Sequence, residues 1–92
     1  MTRDPLDLNL ADAVRRVIVA RVPGLDASSA SDEMSFGAEG LGFDSITTVE
    51  VLLECEAACG VVLPRELLAG APLTVGALIG AVRDARSHAT DT

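Results

Sequence analysis

A small all-α bundle, three main helices and a short fourth with a long loop between the first two, is the fold predicted by this 92-residue sequence. Three observations lead there. Apolar residues recur at helical spacing in three separate stretches, and neither a strand alternation nor an internal repeat accompanies them. The length suits one domain that buries a modest share of its surface, so the core has to be simple. Leu, Val, Ile and Ala must fill that core, because the chain has two Phe and no Trp or Tyr.

The first helix is placed over about Asp7 to Arg21. Leu10, Val14, Val17 and Ile18 fall on one face, Asp12, Arg15 and Arg16 lie elsewhere, and Pro23-Gly24 supply the stop. The next segment, DASSASDEMSFGAEGLGF, lacks sustained periodicity and reads as a loop anchored at intervals by Leu25, Met34, Phe36 and Leu41. Loops of this length are uncommon in compact domains unless they serve function, which directs attention to the loop's end at Asp44-Ser45.

The second helix runs from Ser45 to about Cys59, with Gly60 as its C-terminal stop. Ile46, Val49, Val51, Leu52, Leu53, Cys55 and Ala58 cover more than half of its circumference, so one face is expected in the core and another open to partners. VVLPRELLAG predicts a short extended piece, then Pro64 as the first residue of a brief helical turn through Leu67 and Leu68 to Gly70. In the last helix Thr74 is the expected N-cap, Val75, Leu78, Ile79 and Val82 form the core stripe, and Arg83 and Arg86 suit the negative end of the dipole. The tail after Ser87 is expected to fray.

The net charge of −7 is unevenly placed. From Val22 to Pro64 there are eight acids (Asp26, Asp32, Glu33, Glu39, Asp44, Glu50, Glu54 and Glu56) and no Arg or Lys, while the flanks hold six acids and seven Arg. The middle thus carries −8 and the flanks +1. Such a surface repels nucleic acid and anionic membrane and attracts basic protein surfaces. No apolar run approaches the roughly 20 residues of a membrane span, and the N-terminus lacks a signal peptide's hydrophobic region, so a soluble cytoplasmic protein is expected. Cys55 and Cys59, at i and i+4 of a helix, emerge side by side and are expected as buried free thiols; no second pair completes a metal site.

Asp and Ser are both favoured N-caps, so either Asp44 or Ser45 can start the second helix. Hydrolytic use of Ser45 is disfavoured, because GFDSIT lacks the glycines of a nucleophile elbow and His88, the sole His, lies in the tail. The glycines Gly37, Gly40 and Gly42 do not make a nucleotide loop, since no strand precedes them and the chain has no Lys. A phosphate ester at Ser45 is physically allowed: the first turn of a helix offers unpaired N–H groups and a positive dipole end.

The stretch LGFDSITTVEVLLECEAACGVVLP resembles the core of acyl carrier proteins, marked by Leu-Gly-x-Asp-Ser-Leu or Ile before an apolar-acidic helix. Leu41, Gly42, Asp44, Ser45 and Ile46 fit that mark, and Val49, Glu50, Gly60 and Pro64 fall at the family's spacing. The likeness extends through the anchoring Phe of the loop and the Thr74-Val75 that opens the last helix. It implies a small four-helix bundle of acyl-carrier type, with residues 1–92 as a single carrier domain and a helical core over about 7–86.

By this resemblance Ser45 would receive 4′-phosphopantetheine from coenzyme A, added by a separate phosphopantetheinyl transferase. The arm's thiol would hold an acyl, or alternatively aminoacyl, group as a thioester for acyl-loading and acyl-transferring biosynthetic enzymes. Asp44 would hold the helix start and help the transferase orient. The chain itself would not be an enzyme. Ile46, Val49, Glu50 and Leu53 continue at helical spacing from Ser45 and are the expected docking face, with Glu54 and Glu56 adding charge at its margins for basic partner surfaces. A monomer is expected.

Thr47, where many members have an acid, Cys59, where a Phe is common, and a loop from Phe36 to Leu41 that is one residue longer all depart from the family pattern. GFDSI is nearer to polyketide-type carriers than to peptidyl carriers, and the chain reads as freestanding and as serving a specialised, antibiotic-like pathway. The alternatives are a stand-alone peptidyl carrier and an unmodified helical interaction module in which Ser45 is a cap.

Overall fold

The elements named among the described residues are α1 (Pro5–Val19), α2 (Ser45–Cys59), the short 3-10 helix Arg65–Leu68, and α3 (Val75–Thr90). The computed structural model describes residues 5–26, 29–69 and 73–90. Among them β pairing is limited to an isolated antiparallel bridge between Ser35 and Thr74.

The predicted stripes face the centre. Val14 and Ile18 of α1, Val51 and Cys55 of α2, and Val75, Leu78 and Val82 of α3 are fully enclosed. Burying a Val, Leu or Ile side chain stabilises the fold by about 1.5–3 kcal/mol, and these residues are the ones at which the three helices meet. The loop between α1 and α2 is tied into the same core. Phe36 is 2% exposed, and its ring meets Phe43 edge-on with centroids 5.6 Å apart. Met34 and Leu41 pack against the cluster, as expected of anchors. Leu25 is half-buried, and Ala30, too small to stand out in the sequence, is enclosed as well.

Hydrogen bonds complete the tie. Phe36 N–H donates to Leu73 O at 2.8 Å, and the first N–H groups of α3 donate back to the loop, Val75 to Met34 O at 3.0 Å and Gly76 to Asp32 O at 2.8 Å. Thr74 Oγ1 accepts from Ala77 N at 3.1 Å, the predicted cap. Loop carbonyls and a threonine thus take the orphan donors of α3. Arg15 of α1 holds the loop's other side, donating through Nε to Ala30 O and pairing with Asp32.

Three expectations on boundaries are corrected. α1 lies about two residues earlier than predicted, because the backbone of Ala20 to Gly24 closes into turns. Pro64 does not begin a helix: its ψ of 144° is extended, so it precedes the turn. That turn is a 3-10 helix of 4 residues, too short to form an α-helical ladder, and the predicted stop Gly70 lies outside the described residues. α3 continues to Thr90, beyond the fraying expected after Ser87.

Candidate functional site

The loop delivers the chain to α2 through two glycines with separate tasks. Gly42 has φ +75°, in the left-handed region, and a Cβ at Gly40 would collide with the backbone of Ser35. Leu41 N–H donates to Ser35 O and Phe43 N–H to Phe36 O, both at 2.7 Å, which fixes the approach to Asp44.

Asp44 is the N-cap. Its backbone is extended (φ −81°, ψ 179°) and its Oδ1 accepts from Thr47 N at 2.7 Å. Those hydrogen bonds from Thr47 hold the carboxyl below its ordinary pKa, so it stays ionised at the positive end of α2. Ser45 is therefore not the cap but the first helical residue. It is exposed, and its hydroxyl has no hydrogen-bond partner among the described residues. No helix carbonyl can reach the N–H groups of Ser45 and Ile46 at this position.

Two surface features adjoin Ser45. A cleft of about 280 Å³ is lined on one side by Asp44, Ser45, Thr48 and Val49 and on the other by Phe36, Phe43, Leu67, Leu68 and Leu73. A shallower hollow brings Ser45, Ile46, Val49 and Glu50 together. Along α2, Ile46 is 70% and Leu53 55% exposed, whereas Val49 is half-buried. The structure thus gathers Ile46, Val49, Glu50 and Leu53 on one outward face that begins at Ser45.

The acids of that face are not free charges. Arg21, from the turn after α1, donates to Glu50 Oε1 at 2.7 Å and to Glu54 Oε1, through Nε at 2.9 Å. These bonds, Glu54 first, raise the already high Arg21 pKa. Glu56, expected at the margin of that face, is half-buried beside Leu53 in a neighbouring cleft, and its Oε2 accepts from Leu63 N at 2.7 Å, tying α2 to the segment that follows.

Sequence reasoning missed Arg21, Val62 and Leu68. Val62, 84% exposed, sits between buried Val61 and Leu63, and the period-two pattern of an extended segment could have placed it outward. With Leu53, Pro64 and Leu68 it lines a second apolar cleft of about 180 Å³. Arg21 carried no such signal, because its partners are about thirty residues away.

Cys55 and Cys59 are buried and free. Burial pushes the Cys55 thiol up to about 12, with smaller repulsion from Cys59 and Glu54, and burial likewise raises Cys59. Burial thus disfavours the thiolate, the form in which a cysteine is a nucleophile. Among the described residues no group of three His, Cys, Asp or Glu is placed to hold a metal ion, and no helix is long and apolar enough to cross a membrane.

Comparison with curated proteins gives no match. The family model described as "phosphopantetheine attachment site" matches residues 13–82, which runs from the latter part of α1 through the loop, α2 and the 3-10 helix into the first half of α3. An exposed, unengaged serine in the first turn of α2 suits that description, and the chain belongs to this phosphopantetheine-binding carrier family, which is defined by covalently attached 4′-phosphopantetheine.

Proposed function

We propose that the chain is an acyl carrier protein whose 4′-phosphopantetheine is attached through Ser45 Oγ. The observation that carries this reading is the division of labour at the start of α2: Asp44 caps the helix, which leaves the Ser45 hydroxyl exposed and unengaged. The residues present suit the group. An anion next to Ser45 meets the positive end of α2 and its unpaired first-turn donors, and the neighbouring cleft offers an apolar wall from Phe36, Phe43 and Leu73.

When bound, the group supplies a terminal thiol that holds the cargo as a thioester. The protein's own part is to fix the attachment point, to present a face to the enzymes that act on the cargo, and to keep Cys55 and Cys59 out of the exchange. Tethering raises the effective concentration of cargo at each partner's site. Asp44 keeps the first turn of α2 formed while the transferase reads it. Ile46, Val49, Glu50 and Leu53 form the docking face, with Glu54 behind Glu50. Phosphopantetheinyl transferase and acyl-transferring enzymes are the partners of this reading, which also takes the chain as one monomeric carrier domain acting in the cytoplasm without catalysis of its own.

Acyl cargo of a polyketide-type or other specialised pathway is favoured over aminoacyl cargo. The Gly42-Phe43-Asp44-Ser45-Ile46 segment supports acyl over aminoacyl cargo, and an α2 whose first turn bears no acid supports a specialised pathway over housekeeping fatty-acid synthesis. Intact-mass measurement of the protein isolated from its native producer is expected to show one phosphopantetheine plus an acyl group. A mass matching an amino acid on the arm would overturn the acyl assignment in favour of a peptidyl carrier.

A further inference from the structure

Arg21 stands one residue before the long stretch that holds eight acids and no Arg or Lys. Its guanidinium bridges two carboxylates on successive turns of α2, with Nη1 on Glu50 Oε1 and both Nε and Nη2 on Glu54 Oε1. Residues four apart on a helix project side by side, and the planar fork of Arg reaches both acceptors at once. The Arg21 side chain is 30% exposed and those of Glu50 and Glu54 are 52% and 46% exposed, so the cluster lies at the surface. Its three charges sum to −1, where the two acids alone would give −2.

The position of the cluster matters because Glu50 shares a surface hollow with Ser45, Ile46 and Val49. An enzyme that esterifies Ser45 Oγ has to cover the first turns of α2, and there it meets the exposed side chains of Ile46 and Leu53 beside carboxylates already engaged by Arg21. A cation brought by that enzyme must either displace Arg21 or share its acceptors. Displacement exchanges one ion pair for another, which yields little net attraction.

We propose that Arg21 is a specificity-determining residue of the docking face, an internal cation that weakens the pull of Glu50 and Glu54 on a basic transferase surface and leaves Ile46 and Leu53 to carry the contact. This rests on the reading of Ser45 as the attachment site.

The test is the rate of coenzyme A-dependent modification by a phosphopantetheinyl transferase, followed by intact mass across about 0.02–0.5 M NaCl, for wild type and Arg21→Gln. Wild type is expected to vary less than about twofold over this range, since the net charge presented is small. Arg21→Gln is expected to lower KM by about 3–10-fold at low salt with kcat unchanged, and to converge on wild type at high salt. Arg21→Lys, which keeps the charge, is expected to keep the wild-type salt slope. A purely structural role for Arg21 would move the melting temperature without moving that slope.

Arg21→Gln with wild-type KM and slope, or with a raised KM, overturns the role of Arg21 while leaving the assignment of Ser45 intact. Wild type that gains no mass overturns the assignment itself. Should Arg21→Gln lose its helical circular dichroism, Glu54→Gln decides: because Arg21 already engages that carboxylate, its removal is expected to change KM at low salt by less than about twofold, and a rise of about threefold or more overturns the proposal.

Discussion

At Asp44 and Ser45 a shift of one residue separates a structural role from a chemical one. Asp44 takes the extended backbone of a cap and gives its side chain to Thr47, so Ser45 keeps its own hydroxyl. Asp44→Ala is expected to lower the melting temperature by about 5 °C at neutral pH, the usual effect of losing a good N-cap in a domain of this size. Because the folded-state pKa of Asp44 is depressed, its contribution is present above the ordinary carboxylate value and is lost as pH falls through the lower folded-state value. The gap between wild type and Asp44→Ala should therefore narrow in acid, while Asp44→Asn keeps an acceptor oxygen and retains most of the wild-type melting temperature at neutral pH. Thermal melts read by circular dichroism check both; a pH-independent gap would contradict the cap assignment. The sequence left this choice open, since Asp and Ser are both favoured caps and the backbone angles of one residue decide between them.

α2 was the most legible element, because a dense apolar pattern and a glycine stop agree about its bounds. Gly60 takes the left-handed conformation (φ 68°) and returns its N–H to Glu56 O. Less legible was what holds the helix to its neighbours. Arg86 of α3 donates to Cys59 O at 2.9 Å, placing a cation at the C-terminal end of α2, and Glu56 accepts from Leu63 N. Contacts from a side chain to a distant backbone group leave no periodic trace, which is why Glu56 reads from sequence as a surface charge. Glu56→Ala leaves the N–H of buried Leu63 without its carboxylate and is expected to cost about 1–2 kcal/mol in denaturant unfolding, whereas Glu33→Ala on the exposed loop should stay within about 0.5 kcal/mol. Equal effects would contradict a structural part for the Glu56–Leu63 bond. The 3-10 turn was misread for a related reason: Pro64 suits both a first helical position and the extended residue before a turn, and local preference does not separate the two.

On the scale of the whole molecule, composition identified an acidic protein, and the fold changes where that acidity acts. Asp32 is held by Arg15 of α1, and Glu50 and Glu54 by Arg21 of the turn that follows it, so among the described residues these two cations answer three of the eight acids in the middle stretch. Charge counted along the chain overstates the field at the docking face, because pairing is set by how α1 lies against α2. The route from loop to site was better anticipated: Phe36 and Met34 tie the loop to the start of α3, and Gly40 and Gly42 let it turn onto α2. This arrangement holds the first turn of α2 steady and outward, with its serine free. The central claim is that Ser45 is the attachment point, and the most direct measurement is intact mass after incubation with coenzyme A and a phosphopantetheinyl transferase. Wild type is expected to gain the mass of one phosphopantetheinyl group, and Ser45→Ala, with unchanged helical content because Asp44 still caps α2, is expected to gain none. A wild type that gains no mass, or a gain that persists in Ser45→Ala, would contradict the account.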